Sequence, residues 1–213
     1  MKSLHLEKKE IILIAILVIF HTVGVFTMFS ENWRSIVLPL SAFNLLLAIS
    51  VLVLSFKNEI SKVLILIAIC FIAGMTFEWI GIHTGLLFGD YHYGKNLGIK
   101  LFDVPLIIGV NWGILVISSG MISQLISKNI IVRTILTSLL MTILDFLIEP
   151  VAMTSDYWSW ANDTIPIFNY VCWFVLSLPL SFLFVKFNFR EQNKVAIGLY
   201  LIFVCFFSIL NFY

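Results

Sequence analysis

Three carboxylates lie inside stretches of this chain that are otherwise apolar: Glu78 in FIAGMTFEWIG, and Asp145 with Glu149 in MTILDFLIEPV. An ionisable side chain at membrane depth is costly enough to be rare, so each marks a candidate functional site. Asp145 and Glu149 are four residues apart, which on a helix stacks them on one face. Two like charges so close in a low dielectric should not both be ionised, so one of the pair is expected to hold a proton near neutral pH. A proton held in an apolar pocket is what a general acid requires. The plainer reading is a pair satisfied by hydrogen bonds from Ser, Thr or backbone. Pro150 follows at once and is expected to end the helix there, because the residue before a proline is pushed out of helical geometry.

The neighbouring polar residues include types that can ligate a metal. Glu78, His83, Asp90, His92, Asp145 and Glu149 offer oxygen and nitrogen, but no HxxxH or ExxH spacing is present, and Asp90 with His92 is only an alternate-residue pair on a loop. No metal and no cofactor are expected. His21, inside the first apolar run, reads as a packed helix histidine. The three cysteines, Cys70, Cys172 and Cys205, form no CxxC and read as small core residues.

The elements that must hold these residues are membrane helices. With 61% hydrophobic and 12% charged residues and a mean hydropathy of +1.05, the composition does not suit a soluble core and shell. Apolar runs of the length needed to cross the hydrocarbon core fall at 10–29, 36–56, 61–82, 105–127, 130–150, 166–187 and 194–212. The fold class is therefore an all-α polytopic bundle of about seven helices, read as one integral-membrane domain over 1–213, with the first run a retained signal anchor. Alternating the loops places ten of the thirteen Lys and Arg on one side, from Lys2, Lys8 and Lys9 to Arg190 and Lys194, and only Arg34, Lys95 and Lys100 on the other. The positive-inside rule then predicts a cytoplasmic N-terminus in a multi-pass cell-membrane protein, with the buried acids toward the outer face. A net charge of +1 and the lack of a basic patch give no reason to expect a nucleic-acid partner.

Two loops on that outer side are unusual. HTGLLFGDYHYGKNLGIKLFDV, 83–104, has too few polar residues for a solvated connector and is expected to fold back over the helix ends. VAMTSDYWSWANDTI, 151–165, sets Trp158 and Trp160 two residues apart, which an interfacial aromatic belt would also explain. The two halves echo each other: Glu78, a loop, Pro105 and Trp112 seven residues on; then Glu149, a loop, Pro166 and Trp173 at the same spacing. Both acid-bearing helices run in the same direction, so the echo implies parallel duplication and two carboxylates facing one cavity across a pseudo-twofold axis.

The TG-x-x-FG-x-YHY run at Thr84–Tyr93, LG-x-KLF-x-VP at Leu97–Pro105, and the acid-then-proline followed by Trp-x-Trp carry a resemblance. Over roughly residues 75 to 175 the chain resembles the integral-membrane carotenoid biosynthesis family that includes γ-carotene 1′-hydratase and bisanhydrobacterioruberin hydratase. It departs from that pattern at Leu87 and Asp103 and has a shorter segment before Ile165, which leaves the substrate open.

The resemblance implies a cofactor-free carotenoid hydratase, a hydro-lyase adding water across the terminal 1,2 double bond of a ψ-type carotenoid end. Protonating the less substituted carbon gives a tertiary carbocation, which water captures. Asp145 and Glu149 would supply the proton and Glu78 position the water, with acid and base open to exchange, while Asp90 and His92 link the site to bulk solvent. Trp79, Tyr91, Tyr93, Trp112, Trp158, Trp160 and Trp173 would face the cation, where a desolvated cation–π contact can contribute about 2 kcal/mol or more. Asn111 would belong to a polar lid. The partners implied are a carotenoid entering from the bilayer, water, membrane lipid and other carotenoid enzymes. Three alternatives stay open: a cofactor-independent lycopene cyclase, which traps the same cation with a double bond; a proton-coupled transporter; and a non-catalytic membrane partner of carotenoid enzymes.

Overall fold

The computed structural model describes residues 6–212; Lys2, which entered the charge count, lies outside them. Among the described residues seven helices are long and apolar enough to cross a membrane. They are α1 (Lys8–Met28); the pair α2 (Glu31–Val37) and α3 (Ser41–Ser55), joined through a 3₁₀ turn at Leu38–Leu40; α4 (Ile60–Thr84); α5 (Leu106–Ile126); α6 (Ile130–Thr154); α7 (Ile167–Phe187); and α8 (Lys194–Asn211). The chain is an all-α, multi-pass membrane bundle, and each span falls within a few residues of its sequence-based position. Pro39, in the 3₁₀ turn, interrupts the second span at the point where a proline removes a backbone donor.

One boundary differs. Pro150 does not end α6, which continues one further turn to Thr154. Pro150 is exposed, while Val151 and Ala152 beyond it are buried and hold that turn to the core. Thr154 Oγ1 donates back to the carbonyls of Pro150 and Val151. In an apolar bundle, packing and such side-chain donors let a helix run through proline.

The central helix is α5, which packs against α3, α4, α6, α7 and α8. Local chemistry sets the helix ends. Asn129 caps α6 by accepting from the N–H groups of Ile131 and Val132, and Asn193 caps α8 by accepting from Ala196 N–H. Pro105 and Pro166 stand in extended geometry at the N-caps of α5 and α7. At one end of the bundle Glu59 and Glu191 tie the connector before α4 to the one before α8: Glu191 accepts from Lys57 and Asn58, and Glu59 from Arg190 and Glu191.

At the other end the two long loops close over the helices. The 83–104 loop supplies β1 (Tyr91–Tyr93), β2 (Lys100–Leu101) and β3 (Val104–Pro105), and the second loop supplies β4 (Trp158–Trp160). β1 and β4 pair antiparallel, with Tyr91 opposite Trp160, His92 opposite Ser159 and Tyr93 opposite Trp158. Gly94 N–H to Tyr157 O and Ala161 N–H to Asp90 O extend the ladder by one bond at each end. The fold-back expected of the first loop is therefore a two-stranded lid that joins both halves of the bundle. Of the cysteines, Cys70 and Cys172 are buried and Cys205 is exposed on α8.

Candidate active site

Beneath that lid the three carboxylates meet. Glu78 lies near the C-terminal end of α4, and Asp145 and Glu149 lie in the last turns of α6; all three are at most 4% exposed. With Asn111, Asn169, Phe88, Tyr91, Tyr93, Ile108, Ile148, Trp158, Trp160 and Trp173 they line one cavity of about 30 Å³. That is room for a water molecule or two.

Each carboxylate has its own set of donors. Glu78 Oε2 accepts from the phenols of Tyr91 at 2.6 Å and Tyr93 at 2.7 Å, and its Oε1 from Trp112 Nε1 at 3.3 Å. Glu149 Oε2 accepts from the indoles of Trp158 at 2.9 Å and Trp160 at 2.7 Å. Asn169 Nδ2 bridges the acid pair, donating to Glu149 Oε1 at 3.0 Å and Asp145 Oδ2 at 2.9 Å. Asp145 Oδ1 has no donor among the described residues. Burial, and then the charge of Glu78, holds the phenols of Tyr91 and Tyr93 well above their ordinary range, so both stay O–H donors.

Strand geometry explains this arrangement. Alternate residues of a strand point to opposite faces, so β1 turns Tyr91 and Tyr93 inward and His92 outward. Asp90 and His92 are exposed and do not line the cavity. Trp79 is also outside it: as the residue after Glu78 on a helix it faces another direction, is 44% exposed, and packs on His83. Trp112 is fully buried behind Glu78 and stacked on Trp173. Thus Glu78, Asp145, Glu149, Tyr91, Tyr93, Asn111, Trp158, Trp160 and Trp173 converge on the cavity, Trp112 supports it, and Trp79, Asp90 and His92 lie apart. Asn169 was missed. Its signal was a lone amide three residues after Pro166 in an otherwise apolar run.

A second, larger cavity of about 300 Å³ abuts the first, and Ile108, Asn111, Ile148 and Trp158 line both. Its walls come mainly from α1, α3 and α8, with Phe20, Val23, Leu40 and Phe43 at its lipid-facing margin, all more than 40% exposed. It is an apolar groove ending at the carboxylates. Among the described residues no three His, Cys, Asp or Glu side chains are grouped to hold one metal ion. Chemically, the arrangement can hold a proton on Asp145, keep water between carboxylates, and present aromatic faces to a cation formed at the groove's inner end.

Comparison with known proteins gives one family match: the family model described as carotenoid biosynthesis protein matches residues 40–213. No curated protein and no solved structure gives a match.

Proposed function

The chain belongs to the carotenoid biosynthesis protein family, and we propose that it is a carotenoid hydratase acting on the terminal 1,2 double bond of a ψ-type end group. The observation that carries this reading is the water-sized space among Glu78, Asp145 and Glu149, set against an apolar groove. The polyene enters between α1 and α3 from the bilayer, and only its terminal isopropylidene reaches the acids.

The donor sets divide the labour. Glu78 and Glu149 each accept three hydrogen bonds, which suits the anionic form of a carboxylate. Asp145 has one donor and a free oxygen beside Glu149, which suits it as proton holder. Asp145 transfers its proton to the less substituted alkene carbon, leaving a tertiary cation on the other carbon. Trp160, Trp173 and Phe88 in the cavity wall stabilise that cation through their ring faces. Water held between Glu149 and Glu78 adds to the cation and gives up a proton to a carboxylate. Passing that proton back to Asp145 restores the starting state, so the sum is alkene plus water to tertiary alcohol. Asp90 and His92, exposed at the lid and outside the cavity, link it to bulk solvent without touching substrate.

Cyclisation would begin with the same protonation but must fold a second double bond back onto the cation. A space of about 30 Å³ suits water better than that fold. The test is expression in a bacterial host that makes lycopene or γ-carotene, with mass spectrometry of the extracted pigments and Glu149→Gln alongside. A gain of one water per reacting end, lost in the variant, is the expected result. Unchanged mass with altered retention would replace hydration by cyclisation, and no change in either would overturn both.

A further inference from the structure

The groove carries two polar side chains that the proposed reaction leaves unused. His21, on α1, is 5% exposed and lines it. Its Nδ1 lies 2.8 Å from the Leu17 carbonyl, so that nitrogen carries the proton and Nε2 is left as an acceptor. Nε2 has no partner among the described residues. Asn44, on α3, lines the same groove, and its Oδ1 is buried with no hydrogen-bond partner among the described residues. Of the other polar residues lining the groove, Ser41 and Tyr157 bond to each other, Trp158 is committed to Glu149, and Asn111 belongs to the junction with the acid cavity.

We propose that His21 and Asn44 form a binding site for a hydroxyl group on the isoprenoid chain, making the groove selective for an alcohol over the matching hydrocarbon. The reading rests on the groove seating an isoprenoid end, as above. A hydroxyl brings one donor and two acceptor lone pairs. It can donate to His21 Nε2 and accept from Asn44 Nδ2, or donate to Asn44 Oδ1, since a half-turn of the amide exchanges its two ends. A carbonyl offers His21 Nε2 no proton. A charged group is disfavoured because no Asp, Glu, Lys or Arg among the described residues lines the groove, and an ion there would go unpaired. A hydrocarbon in the same place leaves both side chains unsatisfied, which is the condition under which a site discriminates strongly against a ligand lacking the hydroxyl. His21 lies outside the matched residues 40–213 and Asn44 inside them, so half of the pair sits on a helix that the family pattern does not cover.

Matched acyclic isoprenoids test the site without requiring turnover. Linalool and nerolidol carry an isopropylidene end and a tertiary hydroxyl one and two isoprene units away; myrcene and β-farnesene are their hydrocarbon counterparts. Ligand-dependent thermal stabilisation of the purified protein in one detergent gives relative affinities, with His21→Leu and Asn44→Leu measured separately so that either can report if the other misfolds. At least one alcohol should bind wild type tenfold or more tightly than its hydrocarbon, and each folded variant should lose that preference. Equal binding of alcohol and hydrocarbon to wild type, or a preference that survives both substitutions, overturns the hydroxyl site and leaves the groove as a hydrocarbon site. Failure of both ligand classes to bind overturns the groove reading as well.

Discussion

Trp112 and Trp173 stack face to face, with ring centroids 4.3 Å apart and planes 8° from parallel. Each stands seven residues after the proline that caps its helix, Pro105 for α5 and Pro166 for α7. The lid obeys the same exchange, since Tyr91 faces Trp160 and Tyr93 faces Trp158 about a central His92 and Ser159. So do the donor sets: Glu78 takes its lid bonds from Tyr91 and Tyr93, and Glu149 from Trp158 and Trp160. These pairings set the α4–α5 and α6–α7 units in corresponding roles on either side of the β1–β4 ladder. The correspondence breaks at one position. Asp145 stands four residues before Glu149, whereas the residue four before Glu78 is Gly74, and the Trp112 ring fills the space where its side chain would be. The stacked indoles and the lid thus frame an asymmetric acid arrangement, with a second carboxylate on one side only.

Gly74→Ala tests whether that seat matters. A Cβ there would lie 2.5 Å from the Trp112 ring, so the indole must move away from both Trp173 and Glu78. A stacked aromatic pair contributes about 0.5 to 1.5 kcal/mol beyond its buried area, and a hydrogen bond to a charged group about 1.5 to 3 kcal/mol. The variant should lose the circular-dichroism couplet of the coupled indoles and at least tenfold of its turnover. An unaltered couplet would show that the stack tolerates the methyl group and that the asymmetry is incidental.

Among the described residues Asn169 is the only donor to Asp145 and one of three to Glu149. Asn169→Leu keeps the branched shape but leaves two buried carboxyl groups without their shared partner. Losing such a bond costs about 1 to 3 kcal/mol, so water-addition product in the pigment-producing host should form roughly tenfold to a hundredfold more slowly, at 1.36 kcal/mol per tenfold. Asn169→Gln, which retains an amide, should recover part of the rate. Equal product from wild type and Asn169→Leu in a time course would remove Asn169 from the site.

What could be read in the sequence follows from the range of the signals. Spans were legible because twenty apolar residues in a row have few other uses, and Glu78, Asp145 and Glu149 because charge stands out against that background. Tyr91 with Tyr93 and Trp158 with Trp160 were visible as alternating aromatics, but not that the two pairs face one another. That pairing joins strands more than sixty residues apart in sequence and is fixed by how the helices pack. Asn169 was obscured because a single neutral amide in a membrane helix has many structural uses. Asp90 and His92 were legible as polar residues able to link the site to bulk solvent, and the lid leaves both exposed and outside the cavity. Pro150 misled because the rule for proline is local, while the turn beyond it is held by the burial of Val151 and Ala152.

The lid depends on one close backbone approach. A Cβ on Gly94 would lie 2.1 Å from the carbonyl oxygen of Asp156, and backbone cannot retreat there without releasing the Gly94 N–H bond to Tyr157 O. Gly94→Ala should therefore separate β1 from β4, withdrawing donors from Glu78 and Glu149 together. The expected outcome is a lower melting temperature in detergent and faster amide exchange across Tyr91–Tyr93 and Trp158–Trp160. Exchange that stays slow at both strands would mean that the lid is held chiefly by its aromatic packing.

At the opposite end, Glu59 should set part of the acid sensitivity of the fold. Its Oε2 accepts from the backbone N–H of Arg190 at 2.8 Å and of Glu191 at 3.2 Å, and its Oε1 from Lys62 Nζ at 2.7 Å. Burial pushes this carboxyl up, but the bonds from Lys62 and the two backbone groups outweigh it and leave the group below its ordinary value. A carboxyl lowered in the folded state binds fewer protons there than in the unfolded chain. Its stabilisation is therefore complete above the unfolded value, about 4.3, and is lost as pH falls through the lower folded value. The difference in melting temperature between wild type and Glu59→Gln in detergent should stay level from neutral pH down to about 5 and then narrow. Glu59→Gln, which cannot ionise, should melt lower at neutral pH and decline less steeply in acid, so that the two curves converge. Parallel curves would assign the acid transition to other carboxylates and leave Glu59 as a cap whose charge is immaterial.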